Sequence, residues 1–304
     1  MDKVAFLFAG QGSQYAGMGV KLQRYPMGRE TFQEANDTLG MDIAYLCCNG
    51  TDGDLADTEI TQPAILTCSI AAFRILNEGA SPLSKPPSAT AGLSVGEYSA
   101  LVASEVLSFS DALKLVKERG RLMAEAAAAN PGKMAAILGL ADNSVVESIC
   151  EEASSSGVVQ PANYNCPGQI VISGTEKAIQ RAVELAQKAS AKRCIVLDVS
   201  GAFHSVLMRP AESGLRKALS SVLFSKPKTP FIANVTGDYV EEVGEIREML
   251  ALQLSNPIQW EASIRRMVED DITNIVEIGP GKVLAGLVRR ICRKAEISSS
   301  DDLL

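Results

Sequence analysis

The chain has one histidine in 304 residues, His204. Any chemistry that needs an imidazole must use that ring, and a metal centre built on two histidines is excluded. Positive charge is also short. Lys and Arg number 29 against 36 Asp and Glu, a formal net charge of −7, which makes nucleic acid and anionic membrane poor partners. No uncharged apolar run reaches the roughly 18 residues needed to span a bilayer. The opening MDKVAFLFAGQGSQ lacks a basic segment followed by a small-residue cleavage site, so neither insertion nor secretion is expected. The seven cysteines include adjacent Cys47 and Cys48 but no CxxC or Cys/His ligand spacing. Reduced thiols, a reducing compartment and no bound metal follow as expectations. The expected location is the cytoplasm, or a plastid or mitochondrion if a transit peptide has been removed.

What is present is a globular composition, 46% hydrophobic and 21% charged, which excludes disorder and a small disulfide scaffold. The apolar run Val4 to Phe8 reads as a buried strand entering the loop Gly10-Gln11-Gly12-Ser13-Gln14, with two helical stretches after it. Gly79 to Ser88 reads as a surface loop, Ala89 to Gly92 as a strand and Glu97 to Val106 as a helix. Asp111 to Ala129 is a strong helix, with Ser110 as its cap and Asn130-Pro131-Gly132 as its stop. From Lys133 the order becomes βαββαβ, the ferredoxin-like arrangement. A helix from Pro210 to Leu223, a strand at Pro230 to Val235, a helix from Val243 to Leu254 and a strand at Ile275 to Gly279 complete the pattern, and the tail Ile297 to Leu304 is expected to fray. Strands alternating with helices imply a mainly parallel sheet covered on both faces. The expected fold class is therefore α/β, with a large α/β-hydrolase-like domain (1–131 and 199–304) and an inserted ferredoxin-like domain (132–198).

Gly92-Leu93-Ser94-Val95-Gly96 is a GxSxG motif between the second strand and a helix, the setting of a nucleophile elbow; a tight turn capped by serine is the structural alternative. A serine hydroxyl needs a base to remove its proton, and His204, in a loop after a strand, is the one imidazole available. The backbone N–H groups of Gln11 and Val95 could together form a two-donor oxyanion hole. Arg119 and Arg121 are both candidates for gripping a carboxylate through a guanidinium fork, and being two positions apart on a helix they face different ways.

Eight segments carry a family resemblance in order along nearly the whole chain: GQGSQ (10–14), TQPA (61–64), GLSVGEYSAL (92–101), ERGRLM (118–123), NYNCPGQIVISG (163–174), GAFH (201–204), QLSNPIQW (253–260) and EIGPGKVLAGL (277–287). Together they resemble malonyl-CoA:acyl carrier protein transacylases. The resemblance implies Ser94 as the acylated nucleophile, His204 as its base, Gln11 and Val95 as oxyanion donors, and Arg119 as the residue that pairs with the malonyl carboxylate. It also implies that the Gln253 main-chain carbonyl orients the histidine, in a dyad with no acidic third member. Phe203, Met123 and Asn165 would line the substrate pocket, with Phe203 disfavouring an α-methyl group. Leu93 stands where many members of the family have histidine, and is read as a packing residue. The partners implied are malonyl-CoA and an acidic acyl carrier protein, with no cofactor. A monomer is expected, with Lys188, Lys192, Arg193, Arg289, Arg290, Arg293 and Lys294 as candidate docking positions for the carrier. Two other readings are a serine esterase or thioesterase, which would hand the acyl group to water, and a noncatalytic docking module.

Overall fold

In a computed structural model describing residues 3–78 and 86–304, the apolar run Val4–Phe8 is strand β1, buried from Ala5 onward. Three helices follow rather than two: α1 (Pro26–Leu39), α2 (Ile43–Asn49) and α3 (Thr58–Asn77). All but the last residues of the loop read at Gly79 to Ser88 lie outside the described residues. After β2 (Ala89–Gly92) come α4 (Gly96–Ala103) and α5 (Phe109–Ala129). Ser108, not Ser110, caps α5: its hydroxyl oxygen accepts the Asp111 N–H at 3.0 Å and donates to the Asp111 carboxylate at 2.7 Å, a reciprocal cap that starts the helix two residues earlier.

The next stretch folds as β3 (Lys133–Leu138), α6 (Asn143–Ala153), β4 (Val159–Cys166), β5 (Gln169–Gly174), α7 (Glu176–Lys188) and β6 (Arg193–Val196). These four strands form a separate antiparallel sheet in the order β4-β5-β3-β6. Its two faces have different partners, as the two-residue period of a strand requires. Ala135, Ile137, Ile170 and Ile172 pack on Ile149 of α6 and Ile179 of α7, while Met134, Ala136 and Val171 on the opposite face join the main core.

The rest of the chain contributes α8 (Arg209–Ser220), α9 (Val243–Leu252), α10 (Trp260–Glu269), β7 (Asn274–Ile278), α11 (Val283–Ile291), β8 (Glu296–Ser299) and α12 (Ser300–Leu303). Strands β2, β1, β7 and β8 pair in that order, all parallel. The antiparallel sheet is tied to the segment before α10, where Tyr164 donates its N–H to the Ile258 carbonyl at 2.9 Å and Ile258 donates to Ala162 at 2.8 Å. The cleft between the two sheets receives the ends of β1 and β2. Among the described residues no helix is long and apolar enough to cross a membrane.

Two expectations need correcting. Pro230 to Val235 is not a strand; Phe231 and Ile232 make only isolated bridges, to Thr90 and Tyr239. Pairing with β2 stops because the Asn234 N–H is given to the Glu97 carboxylate instead of a neighbouring strand. The tail is docked rather than frayed. β8 completes the parallel sheet, the Ser300 hydroxyl both accepts from Gly279 N–H and donates to its carbonyl, and Tyr25 Oη donates to the Leu304 carbonyl at 2.7 Å. Replacing buried Ser300 by Ala strands both groups of Gly279. The expected loss is about 1–3 kcal/mol, read as a lower urea midpoint with an unchanged slope.

Candidate active site

The turn from β2 into α4 is built by close approach. A Cβ on Gly92 would stand 2.0 Å from the Gly96 carbonyl carbon, and one on Gly96 would stand 2.3 Å from the Phe8 carbonyl oxygen. Only glycine fits at either position, so the helix can start directly against β1. Between them Ser94 takes φ 53°, and His204 likewise takes φ 57°. Conformations of this kind cost non-glycine residues about 1–3 kcal/mol each and persist where surrounding contacts hold them.

Those contacts are explicit. Asn234 spans the turn, its Oδ1 accepting the Ser94 N–H and its Nδ2 donating to the Gly92 carbonyl, both at 2.7 Å. Ser94 Oγ lies 2.9 Å from His204 Nε2 and accepts a bond from Arg119 Nη2 at 3.0 Å. His204 Nδ1 lies 2.7 Å from the Gln253 main-chain oxygen. A carbonyl only accepts, so Nδ1 carries the proton and Nε2 is left as the acceptor for the Ser94 hydroxyl. That is the tautomer a base needs. Arg119 is 1% exposed; it also donates to Gln62 Oε1 at 2.7 Å and to Gln253 Oε1 at 2.8 Å. Arg121 faces outward and pairs with Glu118 and Glu125.

The residues of this site fall inside a matched family. The model for the acyl transferase domain matches residues 5–303. The malonyl CoA-acyl carrier protein transacylase of Bacillus subtilis (strain 168) is 44% identical over 304 residues, covering 99% of this chain and 94% of the relative. This chain belongs to the malonyl CoA-acyl carrier protein transacylase family. Among solved structures, the acyl-carrier-protein S-malonyltransferase of Burkholderia pseudomallei 1710b superposes with a TM-score of 0.94 at 40% identity, covering 99% of both chains. Another, a type II PKS acyl-carrier protein in complex with its malonyl-transacylase, gives 0.93 at 39% identity over 98% of this chain and 96% of that one.

The transacylase cleft holds a cavity of about 260 Å³ between the two sheets. Ser94, His204, Gln11, Leu93, Met123 and Phe203 line it from the parallel-sheet side, and Asn163, Asn165 and Gln169 line it from the antiparallel sheet. Asn165 Oδ1 is buried with no partner. The Gln11 side chain is directed to Thr58, and Val95, directly after Ser94, is the N-cap of α4. Among the described residues neither of these two backbone N–H groups has an acceptor. Ser94, His204, Gln11, Val95, Arg119, Gln253, Phe203, Met123 and Asn165 thus lie at or beside one cleft, whereas Arg121 does not.

Three others at the site have no role assigned by the sequence: Gln62, Asn234 and Glu97. Gln62 sits in the TQPA segment and Glu97 directly follows the GxSxG motif, which is the signal that could have pointed to them. Asn234 had no local signal. Burial pushes the Glu97 carboxyl up to about 8, although the Asn234 N–H, the Arg119 charge and the Gln253 amide pull it down in part.

Burial is also the main reason the His204 imidazole falls from 6.5 to about 4; the Arg119 charge adds to the shift and the Gln253 carbonyl opposes it. The ring is therefore neutral near pH 7. Between about 4 and 6.5 the unfolded chain binds a proton that the folded chain refuses, so folding stability falls as pH drops through that window. Labelling the single histidine for NMR gives one imidazole signal, expected to titrate near pH 4; a midpoint near 6.5 would contradict this environment.

Proposed function

We propose that this protein transfers the malonyl group from malonyl-CoA to the phosphopantetheine thiol of holo acyl carrier protein, through a malonyl ester on Ser94, supplying malonyl carrier for fatty acid synthesis. The observation that carries the proposal is the Ser94 hydroxyl held at once by His204 and Arg119. In the first half-reaction His204 Nε2 takes the Ser94 proton as Oγ attacks the thioester carbonyl, and the same proton is returned to the CoA sulfur as it leaves. The second half runs in reverse with the carrier thiol as nucleophile. The N–H groups of Gln11 and Val95 hold the oxyanion, a contact worth about 3–4 kcal/mol per donor. Arg119 pairs with the malonyl carboxylate and so fixes the acyl group relative to Ser94. Phe203, Met123 and Asn165 shape the pocket, and no cofactor takes part.

The finer architecture belongs to the same reading. We take 1–131 and 199–304 as an α/β-hydrolase-like domain and 132–198 as an inserted ferredoxin-like domain, acting as a monomer. A serine hydrolase would pair its histidine with an acid, whereas His204 has a main-chain carbonyl in that place.

Intact-protein mass spectrometry after brief exposure to malonyl-CoA tests the proposal. A malonyl adduct is expected on the wild type, absent from Ser94→Ala, reduced at least tenfold in rate for Arg119→Ala, and transferred on adding holo carrier. An adduct that decays to water equally fast with and without carrier would overturn it.

The carrier is proposed to dock at the cleft mouth. Val283 and Leu287 of α11 line the cavity, and Arg290 on the same helix donates to Gln169 at 3.1 Å. Lys192 lies against Gly139, whose N–H is bonded to Gly168 beside Gln169, so both basic groups flank one rim. Replacing Arg289 and Arg290 by Glu is expected to raise the KM for carrier severalfold and leave malonyl loading unchanged. Unchanged carrier kinetics would remove this surface from consideration.

A further inference from the structure

Glu97 is a buried carboxylate that the proposed chemistry does not use, and its two oxygens serve two different arms of the site. Oε1 accepts the Asn234 N–H at 2.8 Å, and the Asn234 side chain grips the backbone of Ser94 and Gly92. Oε2 accepts from Gln253 Nε2. The Gln253 carbonyl holds His204 Nδ1, its Oε1 holds Arg119 Nη2, and its Nε2 also reaches the Ser94 carbonyl at 3.0 Å. We propose that Glu97, in its ionised form, is the positioning residue that sets the Ser94, His204 and Arg119 geometry, acting through Asn234 on the serine and through Gln253 on the histidine and arginine.

The hydrogen-bond pattern is matched to the ionised form. Both carboxyl oxygens face N–H donors, so an added proton would be aimed at another donor. The same pattern fixes the Gln253 amide, since Oε1 must face the guanidinium and Nε2 the carboxylate. Arg119 is the cation across that amide; its charge only partly offsets burial, which holds the carboxyl up at about 8, so the variants below are compared above pH 8, where the carboxylate is populated. Tyr98, the neighbouring residue on the same helix, has its ring 6.0 Å from the Arg119 guanidinium, and its hydroxyl, though buried, has no partner.

Glu97→Gln keeps size and shape but breaks the match. Whichever way the new amide is turned, its NH2 meets the N–H of Asn234 or of Gln253, and turning Gln253 to relieve this aims its own NH2 at Arg119. The double variant E97Q/Q253E restores the match: the amide introduced at position 97 would donate to one oxygen of the carboxylate introduced at position 253, whose other oxygen accepts from Arg119. The bonds from Gln253 Nε2 to the Ser94 carbonyl and to Asn234 Oδ1 are lost.

The inference rests on the malonyl-serine reading, and the same mass assay separates the two. If the wild type forms no adduct on Ser94, that reading fails, whatever Glu97 does. With the wild type loading normally, Glu97→Gln is expected to reach the full adduct with the rate per site reduced about 10–100-fold, the scale of an ångström-sized misplacement, and with the KM for carrier unchanged. A merely structural role would lower the fraction of protein that can be loaded and leave the rate of that fraction alone. E97Q/Q253E is expected to regain at least half of the lost rate on a logarithmic scale, with a raised KM for malonyl-CoA because a carboxylate now touches Arg119. A folded Glu97→Gln protein loading at the wild-type rate overturns the inference. So does a double variant that is unfolded or no faster than Glu97→Gln, and if Glu97→Gln itself does not fold, the double variant alone decides.

Discussion

A guanidinium with almost no access to water, set 3.0 Å from a serine hydroxyl, is the constraint on which the rest of the site depends. Removing a cation from water carries a penalty of several kcal/mol unless its donors are matched. Gln62, Gln253 and Ser94 accept from Arg119, but all three are neutral and Nε has no partner. The one carboxylate in the network, Glu97, stands on the far side of the Gln253 amide. An acyl group ending in its own carboxylate would supply the missing charge at short range, whereas an uncharged acyl group of similar size would leave the cation as it was. In the proposed mechanism, preference for a dicarboxylic thioester follows from the burial of Arg119 as much as from any contact it makes.

The parallel sheet and the antiparallel sheet contribute unequally. The first places Ser94 at the end of β2 and Gln11 after β1, two parallel neighbours whose ends lie side by side, while Arg119 reaches the hydroxyl from α5 and His204 from the loop after β6. The second presents alternate residues of β3 and β5 to the cleft, backed by a hydrophobic layer of its own against α6 and α7.

Legibility in the sequence followed the range of the interaction. Ser94 was readable because GxSxG between strand and helix is a local pattern, and His204 because there is one histidine. Much of the strand and helix order was legible from hydrophobic period, including the βαββαβ stretch, but not the third helix after β1 or the terminal β8 and α12. Arg119 could not be told from Arg121 without the family resemblance, since both are arginines on one helix and only packing decides which turns inward. Glu97 in the first turn of a helix reads as an ordinary acid favoured by the helix dipole. Asn234 lies within an apolar run that reads as a strand; the loss of that strand and the bracing of the serine are one event, because the N–H a strand would have paired is given to Glu97. Its bonds to Ser94 and Gly92 cross 140 and 142 residues, and no local pattern encodes them. The tail was misread for a similar reason, since its anchors at Tyr25 and Gly279 are remote from it in the chain.

His204 is oriented by a neutral main-chain oxygen rather than by a carboxylate, and this has a consequence for what can accept the acyl group. A base without an anionic partner gains little when it takes up a proton, so it helps most the nucleophile that needs least help. A thiol ionises near roughly 8.5 and water near about 15.7, a gap of about 10 kcal/mol in the free energy of losing a proton. A feeble base is adequate for the first and poor for the second. In the proposed mechanism the acyl ester on Ser94 is therefore spared by water and taken by a thiol because of the acidity of the acceptor.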